Sequence, residues 1–171
     1  METRFKLFGH PVHPMLVVFP LGLLSTAVIF DIGYLVTDNE ELATFSFWAI
    51  AAGVVGGLAA ALFGLIDWLG IPRDTRAKAI GLTHGLGNVV IVVLFAASLL
   101  LRLGDPAFAP NLLPFILGLA GAALALFTAW LGGELVYRLR VAVDEDAHLD
   151  ASSSLARGGA ARVEHSPPTR S

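Results

Sequence analysis

Six residues have the types and spacing to do chemistry: His10, His13, Asp67, His84, Asn88 and Glu134. All stand at or near the ends of long apolar runs, where an ionisable group costs free energy and points to a site. Imidazole and carboxylate together ligate a divalent metal or relay protons, and two histidines can hold a haem iron. Each residue also has a plainer reading. His10 lies just outside a span and suits an interfacial position. Asp67 and Glu134 can pair with Arg73, Arg76 or Arg138 and fix helix ends. Asp31, alone in the first apolar run, reads as a packing or capping group. Trp130 and Tyr137 read as interface anchors.

The elements that position these residues follow from hydropathy. Of 171 residues, 56% are hydrophobic. Residues 14–36 hold one charge, Asp31; residues 42–66 and 110–133 hold none; residues 79–101 hold only His84. Each block is long enough for a membrane helix, which takes about 20 residues. The expected fold is an all-α four-helix transmembrane bundle over 1–143, with spans near 14–36, 42–68, 78–101 and 111–136. The first span continues to Val36, too long for a signal-peptide core, and reads as a retained helix. From 144 to 171 the chain is rich in Ser, Gly, Pro and charge, the composition of a disordered tail. No cysteine is present, which excludes disulfides, thiolate metal sites and covalent c-type haem.

Charge sets the expected orientation. Arg4, Lys6, Arg73, Arg76, Lys78, Arg138 and Arg140 lie at one set of span ends, against Arg102 at the other. The positive-inside rule then places both termini and the Gly64–Asn88 turn in the cytoplasm of a bacterial inner membrane. An even number of spans brings all six candidate residues to that same side.

Small residues mark the helix faces. Gly53, Gly57, Ala60, Gly64 and Asp67 share one stripe; Gly81, His84, Asn88 and Ile91 share another, with Gly85 adjacent; Gly118, Ala122, Ala125, Ala129 and Gly132 form a third. Such stripes let helix backbones approach closely in a membrane, so Gly53, Gly57, Gly64, Gly81, Gly85, Gly118 and Gly132 are expected at packing contacts. His13, Pro20, Leu24, Ala27 and Asp31 fall on one face of the first span, which Pro20 should bend. No internal repeat stands out.

Three segments carry a resemblance: GHPVHPMLVVFPLGLL at 9–24, GLIDWLGIPRDTRAKAIGLTHGLGN at 64–88 and WLGGELVYRLRVAVD at 130–144. Together they resemble a bacterial membrane family catalogued as domain of unknown function 2231, over roughly residues 8–144. The pattern matches at His10, His13, Asp67, His84, Asn88, Gly132, Gly133, Glu134 and Tyr137. Part of the family has a histidine where this chain has Val18, which weakens any site needing a third histidine on the first helix. The resemblance implies a four-helix inner-membrane protein and assigns it no activity.

Two classes of function are compatible with these residues. One is a redox or metal protein, with haem b held by His13 and His84, or a divalent metal held by His10, His13, His84 and Asp67 or Glu134. The other is a non-catalytic membrane protein, either a small permease or a scaffold subunit, working as a homo-oligomer or with a membrane partner. Nothing resembles a nucleotide loop, a nucleophile with its base, or a nucleic-acid surface, so the balance favours a structural or ligand-binding site over catalysis. Reporter fusions test the orientation. Fusions at Asn39 and Ala107 should report outside and one at Thr75 inside; an outside signal at Thr75 overturns it.

Overall fold

The computed structural model describes residues 5–155. Its four long helices are α1 (Val12–Thr37), α2 (Glu40–Gly70), α3 (Arg76–Leu101) and α4 (Leu112–Gly133). A single π turn, Glu134–Arg138, continues α4. All four are long and apolar enough to cross a membrane. Exposed Leu, Val, Ile and Phe side chains cover their outer faces, as a lipid-facing surface requires. A short hairpin, β1 (Lys6–Leu7) paired with β2 (His10–Pro11), precedes α1. Its turn residues Phe8 and Gly9 both take positive φ, at 52° and 84°.

The helix ends are set by local chemistry. Asn39 caps α2 by accepting from the Glu41 amide at 3.0 Å. Thr75 caps α3 by accepting from the Lys78 amide at 3.1 Å. α1 begins at Val12, so His13 and Pro14 lie inside its first turn, where a proline is tolerated. The helix runs on through Pro20, which is buried.

α1 packs along α2, and α3 along α4, with α2 and α3 joining the two pairs. The starts of α1 and α3 and the ends of α2 and α4 form the proximal end, which also carries the β-hairpin. The opposite, distal end holds the connections 38–39 and 102–111. Leu24, Ala27, Val28, Ile50, Ile91 and Phe95 make the core. The expected packing glycines sit against neighbours in most cases. A Cβ on Gly53 would lie 2.6 Å from Leu24, one on Gly81 2.8 Å from Trp68, and one on Gly57 3.1 Å from Val92. Gly85 is the exception: nothing lies within 4 Å of its Cβ position. It sits one residue round the helix from His84, and that step turns it away from the bundle.

Above the core, near the distal end, lies a buried ion pair that the sequence did not signal. Arg102, read as a loop charge, is 0% exposed, and Asp31 is 1% exposed. The guanidinium grips the carboxylate with two hydrogen bonds, Nη1 to Oδ1 at 2.8 Å and Nη2 to Oδ2 at 2.6 Å. It also donates to Ser46 and Ser98, each at 3.1 Å. Ser98 in turn donates to the Pro114 carbonyl at 2.8 Å. One cluster thus ties α1, α2, α3 and α4 together.

The tail expected to lack structure from 144 onward turns back over its first residues. Ser154 donates to the Phe8 carbonyl at 3.0 Å, and Asp144 stands 3.8 Å from Lys6. The remainder of that expectation, and the Arg4 end of the basic arm, lie outside the described residues. Breaking a buried ion pair from one side strands a charge, at about 3–5 kcal/mol. Arg102→Leu should therefore lower thermal stability in detergent strongly, and Asp31→Leu with Arg102→Leu should recover most of the loss. A single variant as stable as the parent would show that the pair does not hold the distal end.

Candidate functional site

Two imidazoles meet between the helix pairs in the proximal half of the bundle. The His13 ring reaches from α1 to the Ala60 carbonyl of α2, with Nδ1 at 2.9 Å. The His84 ring reaches from α3 to the Thr128 carbonyl of α4, with Nδ1 also at 2.9 Å. The two ring centroids are 6.5 Å apart and their planes are perpendicular, at 89°. His13 and His84 therefore link all four helices.

Glycine makes the His13 contact possible and flanks the His84 contact. Gly64 stands four residues after Ala60, and Gly132 four residues after Thr128, so each lies over the carbonyl that receives a ring. A Cβ on Gly64 would lie 2.8 Å from the His13 ring, and one on Gly132 3.4 Å from the His84 ring. Missing side chains open the backbone oxygens to the imidazoles.

The bonds fix the protons. A carbonyl oxygen only accepts, so each Nδ1 carries hydrogen and each neutral ring keeps its lone pair on Nε2. Asn88 donates its amide to the His84 carbonyl at 2.7 Å, and the same nitrogen lies 3.3 Å from His84 Nε2. Asp67 stands three residues after Gly64, on the His13 side and within electrostatic reach of that ring. Its Oδ1 is buried and has no hydrogen-bond partner in the structure. A buried carboxylate oxygen left bare in this way marks a place for a water, a proton or a cation.

Four of the six expected residues thus come together: His13, Asp67, His84 and Asn88. The other two are engaged elsewhere. His10 sits in β2, exposed, with Nε2 3.4 Å from Ser154 Oγ. It borders a cleft of about 210 Å³ with Lys6, Asp144 and Asp146, apart from the imidazole pair. Glu134 accepts from Arg76 at 3.0 Å and lies 3.8 Å from Arg138, which joins the end of α4 to the start of α3. Both carboxylates had plausible Arg partners in the sequence; only Glu134 takes one. Among the described residues, no three His, Asp or Glu side chains converge to hold a metal ion. The ligand set of His10, His13, His84 with Asp67 or Glu134 is therefore not assembled, because the hairpin carries His10 outward and the arginines take Glu134.

A latch beside the site was not foreseen. Lys78 donates to the Trp68 carbonyl at 2.7 Å and lies 3.9 Å above the indole ring, while Trp68 Nε1 donates to the Lys78 carbonyl at 3.1 Å. It clamps the 71–75 turn and ties the end of α2 to the start of α3. Trp68 is a half-buried packing group, whereas Trp48, Trp130 and Tyr137 stay exposed.

A family model described as Predicted membrane protein (DUF2231) matches residues 9–145. The chain belongs to this family. The matched region takes in all four helices and the whole imidazole site, and stops just past the π turn. No curated protein and no solved structure matches the chain.

Gly64→Leu should lower stability by about 1–3 kcal/mol or more, since the added side chain must displace the His13 ring. Lipid-facing Leu58→Ala and Leu65→Ala should cost far less, and Gly85→Ala should be tolerated. Equal losses at all four positions in a thermal assay would mean that the bundle packs on a different face.

Proposed function

We propose that this member of the family is a protein of the bacterial inner membrane, with both termini cytoplasmic, whose His13–His84–Asp67 cluster binds an exchangeable proton. The orientation rests on charge. With Arg102 withdrawn into its pair with Asp31, the distal connections keep no free basic side chain, whereas Arg73, Arg76, Arg138 and Arg140 crowd the proximal end.

The observation that carries the site is the bare Oδ1 of Asp67 beside an imidazole whose Nε2 holds its lone pair. A second imidazole, held in the same tautomer, stands next to it. An open imidazole lone pair and a bare carboxylate oxygen on neighbouring helices can share one proton. The cluster is thus suited to take up and pass on one proton at the membrane edge, as in a small permease or a partner subunit of a proton-linked system.

A second reading is favoured by the Nδ1 bonds. Histidines that ligate a metal are commonly oriented by donating the other ring nitrogen to a carbonyl. His13 and His84 have that arrangement, one from each helix pair, and would hold a haem b iron through their Nε2 atoms. Such a group would supply one-electron transfer. The chain's own contribution would be to orient the two Nε2 atoms and to keep the rings in a dry site.

NMR of histidine-labelled protein in nanodiscs separates the readings. For a proton site, Asp67→Asn should move the ring-nitrogen signals of both His13 and His84. Ring signals of both histidines untouched by Asp67→Asn would overturn it. A Soret band in the purified protein, lost in both His13→Ala and His84→Ala, would establish the haem reading instead.

A further inference from the structure

We infer that the bundle consists of two equivalent helix hairpins, α1–α2 and α3–α4, docked about a two-fold axis along the bundle, each hairpin's inner face receiving the other and Asp31 with Arg102 deciding which meets which.

An offset of 71 carries His13 onto His84 and Asp31 onto Arg102, the pairs that meet near either end of the bundle. The same offset carries buried Pro20, Leu24 and Ala27 onto buried Ile91, Phe95 and Ser98. For α2 and α4 the offset is 68. It carries buried Ser46, Ile50, Gly53 and Ala60 onto buried Pro114, Gly118, Gly121 and Thr128. The difference of three is taken up in the distal connections, 38–39 and 102–111, where the two hairpins differ most.

Helical periodicity alone would align buried faces. It would not reproduce individual contacts. His13 bonds the Ala60 carbonyl over Gly64, and His84 bonds the equivalent Thr128 carbonyl over the equivalent Gly132, both at 2.9 Å. A Cβ on Gly53 would strike Leu24 at 2.6 Å, and one on its counterpart Gly121 would strike Phe95, the counterpart of Leu24, at 2.7 Å. Across the hairpins, the Gly118 Cβ position lies 3.9 Å from Val28. The image of that contact is Ile50 with Leu99, and both pack in the one core cluster.

The charges then acquire a role. A face that carries Asp31 cannot meet a copy of itself without burying two unpaired carboxylates, and a face that carries Arg102 cannot meet its own copy without burying two guanidiniums. Only the unlike pairing satisfies both, which is specificity by exclusion of the like pairings. The polar groups of the proximal site break the symmetry in the same sense. The counterpart of Asp67 is Leu135, and that of Asn88 is Val17, so each imidazole has a different neighbour.

The two-fold predicts a contact between α1 and α4 from one between α2 and α3. Gly57 meets Val92, with its Cβ position 3.1 Å from the valine. The image is Ala125 against Leu21. Because the chain has no cysteine, the test is clean. Gly57→Cys with Val92→Cys, Leu21→Cys with Ala125→Cys, and the off-register control Ser25→Cys with Ala129→Cys would be oxidised in detergent, then cleaved at Arg73. The control thiols sit about 12 Å further apart along the bundle. The first two pairs should keep the halves joined to comparable extents, and the control should let them separate. Joining by Gly57–Val92 without Leu21–Ala125, in proteins that elute alike on gel filtration, overturns the two-fold, as does joining by the control.

Discussion

Within a bilayer no water is available to a polar group, so each must find its partner inside the protein. The architecture follows from that constraint. Backbone amides are satisfied within helices, leaving a handful of side chains to be matched. Asp31 and Arg102 meet most of that need through two charge-assisted bonds to each other and two serine contacts, with the Arg102 Nε left without a partner. Such a pair is no stronger than well-packed leucines would be, because desolvating two charges offsets most of their attraction. What it adds is an arrangement that only one pairing of the helices can satisfy.

The same constraint shapes the imidazoles. A helix carbonyl already accepts one backbone hydrogen bond but has a second lone pair. Gly64 and Gly132 expose that lone pair at Ala60 and Thr128, and the rings take it. Small residues here serve more than close backbone packing; they give a side chain from the next helix access to a main-chain acceptor. At Gly64 the contact is so close that a methyl group has no room, whereas at Gly132 a methyl would just touch the ring. Asp67 keeps one oxygen bare, as Arg102 does its Nε, in a region where such atoms are rare.

Much of this was legible in the sequence, for identifiable reasons. Apolar runs of membrane length gave the four helices, and even-numbered topology put His13, Asp67 and His84 at one end. The glycine stripe through Gly53, Gly57 and Gly64 gave the face that α2 presents. Arg102 was not legible because it closes a long apolar run, where it looks like the first residue of a loop. The need of Asp31 for a partner was the available clue. His10 stands just outside the first span, as its plainer reading had it, because Phe8 and Gly9 bend the chain there into a hairpin that holds it away from the imidazole pair. The internal two-fold left little trace in residue identity, since Pro20 corresponds to Ile91 and Ser46 to Pro114; only the contacts preserve it.

The site depends on both imidazoles spending Nδ1 on a carbonyl and holding Nε2 open. Nitrogen-15 NMR of the two rings in lipid reads this directly, because protonated and bare ring nitrogens differ widely in chemical shift. At a pH where the rings are neutral, His13 and His84 should both show a protonated Nδ1 and an unprotonated Nε2. Protonation at Nε2 in either ring, with Nδ1 bare, would contradict the site as described.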